Sequence, residues 1–150
     1  MIPGPTILTK AGQSIKLTLQ NKLGPRNPSC ENLPPATTQD QKARYDAFEK
    51  AMCYLNSTNL HTHGIHTSPA QKVLVDGKQV SMDSVWNDIR PGEELDFVFP
   101  IGEDHMAGTH WYHPHRHHAT SVQAGGGMHG ALIVEDPEDS LPPAIQSMPS

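Results

Sequence analysis

Apolar and polar positions alternate along residues 13–20, with Ile15, Leu17 and Leu19 set against Ser14, Lys16 and Thr18. A period of two predicts a strand with one wet face. The β-branched run Thr6–Lys10 predicts a strand before it, with Ala11-Gly12 as a hairpin-like connection. Similar runs predict strands at Thr58–His63, Lys72–Val75, Glu94–Ile101, Gly108–His113 and Gly130–Glu135. Asp76-Gly77 and Pro91-Gly92 mark turns, and Asn21–Thr38, rich in Pro and Asn, reads as loop. The period changes once. Tyr45, Phe48, Met52 and Leu55 recur every three to four residues, which predicts a helix over roughly Asp40–Tyr54 on the rim of a sheet. Core packing accounts for that aromatic stripe. Short strands at fairly regular spacing, broken by Pro and Gly, predict a mainly β sandwich or barrel with one short helical insert. Four prolines and no strand pattern from Pro137 onward make 137–150 an exposed, flexible tail.

Length and composition narrow this picture. The 150 residues, 35% hydrophobic and 18% charged, suit a single domain with a modest core. No apolar run is long enough for a membrane span. Eleven basic against sixteen acidic residues give a net charge of −5, and the absence of a basic cluster argues against a nucleic-acid partner. Cys30 and Cys53 lack metal-binding CxxC spacing. A disulfide between them is the expectation, with two buried free thiols as the alternative. The disulfide implies an oxidising compartment, the periplasm or outside the cell. The first residues, MIPGPTILTK, show no signal-peptide pattern. The chain is therefore expected to be cytosolic or a mature or trimmed form, the second being favoured.

The histidines change the picture most. All ten lie between His61 and His129. His61-Thr62-His63-Gly64 ends one predicted strand and His113-Pro114-His115 ends another. Residues i and i+2 of a strand share a face, about 6–7 Å apart at Cα. Each pair therefore projects two imidazoles together, and Gly64 leaves room for a close approach. Two such pairs at strand ends can converge. Four nitrogen donors suit copper, zinc or nickel, with copper the strongest binder of the series. His117 and His118 follow the second pair and are open to a metal role. His66, His105, His110 and His129 read as supporting or surface residues, His110 opposing Trp111 across its strand. Asp76 and Asp83 have no motif that makes them ligands.

HTHG at 61–64 and WYHPH at 111–115 resemble the two amino-terminal copper motifs of the multicopper oxidases, the laccase-like enzymes. PGPT at 3–6, AGQSIKLTLQNKL, IRPGEELDFVFPI, AGTHWYHPH and GMHGALIVED resemble the accompanying segments, in the same order. The resemblance covers most of the chain except about 25–56 and the tail. It implies a cupredoxin-like (plastocyanin-like) Greek-key β-sandwich over 1–150. It implies that His61 binds a type 2 copper, and that His63, His113 and His115 bind type 3 coppers. These four would form half of a cluster that reduces dioxygen. One position departs from the pattern: Thr62 stands where the family usually has an aromatic residue.

The resemblance also defines what to look for beyond this chain. The family's partner domain brings four more histidines and a type 1 copper site with a His-Cys-His motif. Here Cys30 lies between Ser29 and Glu31, and Cys53 between Met52 and Tyr54. Three readings follow. The chain is the amino-terminal domain of a larger oxidase. Or it is a single-domain copper protein that builds its sites by oligomerising, a homotrimer being the expected form. Or it is a non-catalytic copper-binding or storage protein. Ligating imidazoles must be neutral, so bound copper is expected to leave below about pH 6.

Overall fold

The computed structural model describes residues 3–25, 38–39, 53, 55–137 and 140–148. The expected helix over Asp40–Tyr54 and Cys30 lie outside the described residues, apart from Cys53. The described residues form eight strands: β1 (Ile7–Thr9), β2 (Ser14–Gln20), β3 (His61–His63), β4 (Val73–Val75), β5 (Lys78–Val80), β6 (Glu94–Pro100), β7 (Gly108–His113) and β8 (Gly130–Val134). Two short helices, α1 (Thr120–Gly125) and α2 (Pro143–Gln146), complete the described elements. One sheet runs β1-β8-β7-β3 and a second pairs β2 with β6. The β4–β5 hairpin joins the second sheet through a bridge between Ser81 and Phe97.

This is the mainly β, cupredoxin-like fold expected. Its two layers meet because β6 and β8 turn alternate large apolar side chains inward. Phe97 and Phe99 point inward from β6, and Leu132 and Val134 from β8. All four are 1% exposed and belong to one core with Ile15, Leu60, Ile65, Ile89 and Ile101. The two phenyl rings stack with centroids 5.7 Å apart.

The connection at Ala11-Gly12 is not hairpin-like. β1 pairs in parallel with β8, Ile7 opposite Leu132, whereas β2 pairs antiparallel with β6, Ile15 opposite Phe99. Residues 10–13 therefore cross from one sheet to the other, and Gly12 takes the positive φ (+80°) this bend needs. Asp76-Gly77 does form the expected turn. Both residues have positive φ, 53° and 76°, as a two-residue type I′ hairpin requires. The turn leads into β5, which the pattern missed. α1 was missed too. The predicted strand Thr58–His63 shortens to β3, with Thr58 making only an isolated bridge to Ile89. Within the expected tail, α2 is exposed throughout. No helix among the described residues is long and apolar enough to cross a membrane.

Candidate metal centre

The register of the first sheet assembles the four motif histidines. β3 runs antiparallel to β7, with His61 opposite His113 and His63 opposite Trp111. By the two-residue period, His61, His63, Trp111 and His113 share one face, and Thr62, Tyr112 and His110 share the other. The four imidazoles meet at the end of the sheet. The His61 ring lies 4.8 Å from His63, 5.8 Å from His113 and 5.0 Å from His115, centroid to centroid. His63 Nε2 and His113 Nε2 face each other at 2.9 Å. Trp111 stacks on both of these rings, at 4.8 and 4.4 Å. His113 is buried, whereas His63 and His115 are exposed, so the cluster opens outward.

The nitrogen aimed at the cluster is set by what holds the other one. His113 Nδ1 donates to the Pro114 carbonyl at 2.7 Å, which leaves the Nε2 lone pair free. His61 Nδ1 lies 2.8 Å from Asp83 Oδ1 and donates to it, leaving Nε2 bare in the same way. In the metal-free chain, His63 Nε2–H therefore donates to His113 Nε2. His63 and His113 would together hold a metal ion there, in place of that proton. This donor set fits copper. Among the described residues, no three His, Cys, Asp or Glu side chains are placed to hold a metal ion by themselves.

A profile of the multicopper oxidase family matches residues 52–139, more than half of the chain and including all four motif histidines. The chain belongs to the multicopper oxidase family. It is 35% identical over 85 residues to an iron transport multicopper oxidase of Saccharomyces cerevisiae, a match covering 55% of this chain and 12% of the relative. It is 27% identical over 139 residues to a laccase of Thanatephorus cucumeris, covering 91% of this chain and 17% of the relative. Among solved structures it resembles a multicopper oxidase from Campylobacter jejuni, described as a metallo-oxidase, with a TM-score of 0.57 and 25% identity; 93% of this chain and 21% of that one are covered. A multi-copper oxidase of Pseudomonas thermotolerans gives a TM-score of 0.53 at 24% identity, covering 93% of this chain and 24% of that one, and shares the fold. This multicopper oxidase chain thus spans less than a quarter of the length of each of these proteins.

Two residues that support the cluster carry no motif. Asp83 accepts from His61 and from Thr62, although its sequence context suggested no role. Asn59, 1% exposed, accepts from the His115 backbone N–H through Oδ1 at 2.6 Å. Its Nδ2 donates to the Val85 and Asn87 carbonyls at 2.9 and 3.2 Å. It thereby fixes the segment after β7 to the loop before β6. Polar residues next to a ligand pair are the only signal sequence offered for Asn59.

The other histidines divide into separate groups. His105 is buried and closes a clamp: its Nε2 accepts from the His66 backbone N–H at 3.2 Å, and its Nδ1 donates to the Met106 carbonyl at 2.8 Å. The His110 ring packs edge-on against His105, on the face opposite Trp111 as expected. Gly64, at φ +85°, has no Cβ because the His110 ring occupies that space. His117 and His118 pack on each other at 4.3 Å and line a cavity of about 420 Å³ with Trp86, Asp88 and Arg116.

Partial loss of hydration against the neighbouring groups pushes His63, His113 and His110 below the ordinary imidazole value of 6.5. Neighbouring imidazoles push the same way; Asp83 pulls His63 back, and the Pro114 carbonyl pulls His113 back. The sign for stability follows. As pH falls through 6.5, the unfolded chain takes up protons on these rings before the folded chain does. The metal-free fold therefore loses stability as pH drops below about 6.5, until the folded rings protonate as well. Calorimetric melting of the metal-free chain should give a lower Tm at pH 5.5 than at pH 7.5. An unchanged or higher Tm at pH 5.5 contradicts the assignment of these three rings as neutral.

Proposed function

We propose that this chain supplies one half of a dioxygen-reducing copper cluster: His61 for a type 2 copper, His63 and His113 for one type 3 copper, and His115 for the other. The observation that carries this reading is the facing pair of Nε2 atoms on His63 and His113, 2.9 Å apart. The Nδ1 atoms of His113 and His61 are already committed, to the Pro114 carbonyl and to Asp83. The outward opening at His63 and His115 supports completion by a second cupredoxin-like domain or by another copy of this chain, a homotrimer in the second case. Neither cysteine adjoins a histidine, so the type 1 copper site belongs to the complementary part. Residues 1–150 act as one cupredoxin-like domain, with 137–150 as its tail.

Copper at this site would bind dioxygen and relay electrons to it. The chain's own contribution is to hold neutral imidazoles in one tautomer and to fix their directions before metal arrives. Trp111 shields the His63–His113 pair on one side and limits the ring positions available to it. The Asn59 contact sets the backbone that carries His115.

The reading also places the chain in the periplasm or outside the cell, with Cys53 bonded to Cys30. Cys53 is buried and is not a free thiol. The deciding experiment combines the oligomeric mass with and without copper and oxygen uptake with a phenolic electron donor, with and without a complementary type 1 copper domain. Copper-dependent association with oxygen uptake supports the proposal. Tight copper binding without uptake in any assembled form favours a non-catalytic copper-binding or storage role.

A further inference from the structure

We infer that Thr62, the residue between the first two histidines, is a positioning residue that holds His61 through Asp83; this rests on the reading of His61 as a metal ligand. Thr62 grips both oxygens of one carboxylate. Its backbone N–H donates to Asp83 Oδ1 at 3.1 Å, and its hydroxyl donates to Asp83 Oδ2 at 2.8 Å. Oδ1 also accepts from His61 Nδ1 at 2.8 Å. Thr62 is 4% exposed and the Asp83 side chain 9%, so water has little access to replace a lost partner.

The geometry gives each contact a distinct job. Asp83 selects the tautomer of His61 by taking the Nδ1 proton, and so presents Nε2 to the metal. The Thr62 hydroxyl stops the carboxylate turning about its χ2 bond. Without that anchor, a buried Oδ2 is left unpaired and turns toward solvent. Oδ1 then swings off His61. An aromatic side chain at 62, as in the pattern this sequence departs from, has no hydroxyl at Cβ to make this contact. Thr62 and Asp83 thus form one unit, with Thr62 acting on the metal site only through its partner.

The test compares Thr62→Val, which keeps the shape and removes the hydroxyl, with Thr62→Ser, which restores it. Asp83→Ala and the Thr62→Val/Asp83→Ala double variant complete a cycle. The first readout is the His61 ring-nitrogen NMR shifts in the metal-free chain, which report the tautomer without any copper. The second is Cu(II) affinity by titration, with His61→Ala as the reference. Wild type and Thr62→Ser should show His61 protonated on Nδ1. Thr62→Val should show mixed tautomers and Cu(II) affinity weaker by about tenfold. Adding Thr62→Val to Asp83→Ala should change neither readout further. An unchanged tautomer in Thr62→Val, or equal additive losses in both backgrounds, overturns the proposal. If His61→Ala leaves Cu(II) affinity unchanged, the ligand assignment fails instead, and the tautomer readout still decides the role of Thr62.

Discussion

Replacing His63 and His113 together with alanine should abolish the copper binding proposed for this pair and lower the copper-to-chain ratio of the loaded protein. The expectation follows from geometry more than from the number of histidines. These two Nε2 atoms alone among the motif nitrogens face each other at bonding span, and the Trp111 ring holds both in place. Among the described residues, no three donors converge to hold a metal ion by themselves. Elemental analysis after copper loading and desalting measures the loss, and circular dichroism confirms that the variant is folded. His63→Ala alone is the gentler control, since His63 is exposed and its removal leaves no core cavity. Full copper stoichiometry in a folded double variant would refute the site.

Truncating Phe97 to alanine should cost about 3–5 kcal/mol of folding stability. The ring is 1% exposed, stacks on Phe99 and faces the layer formed by β8. Its removal empties the middle of the sandwich, where neither sheet can collapse without breaking its own ladder. Domains of this size hold about 5–15 kcal/mol in all, so the loss takes a large share. Urea unfolding should show a midpoint well below wild type with a similar slope. A shift corresponding to less than about 1 kcal/mol would mean that the two sheets do not pack through this ring.

The parts of the fold that sequence revealed are those where local period and burial agree. β2 alternates cleanly along its length, and β7 and β8 appear where their apolar runs placed them. β5 escaped because Lys78–Val80 is three residues with two polar side chains, too short to show a period. α1 escaped because its six residues carry no apolar stripe, Gln123 being its only buried residue. That glutamine is held by its polar bonds to the Leu55 and Ser57 carbonyls and to Thr58. The misread connection at Ala11-Gly12 has a different cause. A Gly in a short link predicts a bend and says nothing of which sheet each flanking strand joins, and here the partners come from the far half of the chain.

The metal centre divides in the same way. His-x-His at a strand end is readable because i and i+2 must share a face. That the two pairs meet depends on β3 lying beside β7, a long-range pairing that no local pattern encodes and that the register supplies. Asp83 and Asn59 were not readable as support. Asp83 reaches His61 from 22 residues away, across a loop and a hairpin, and no spacing rule connects them. Thr62 looked like a neutral departure at a packing position. In the fold its hydroxyl has a specific acceptor.

The pairing of β1 with β8 joins distant parts of the chain. Ile7 is made well before its partner Leu132, with the other paired strands lying between them in sequence. Until then β1 has no strand to join, while β2 can find β6 and β3 can find β7. Among the paired strands described, the β1–β8 ladder closes the longest stretch of chain, and it is the contact slowest to form.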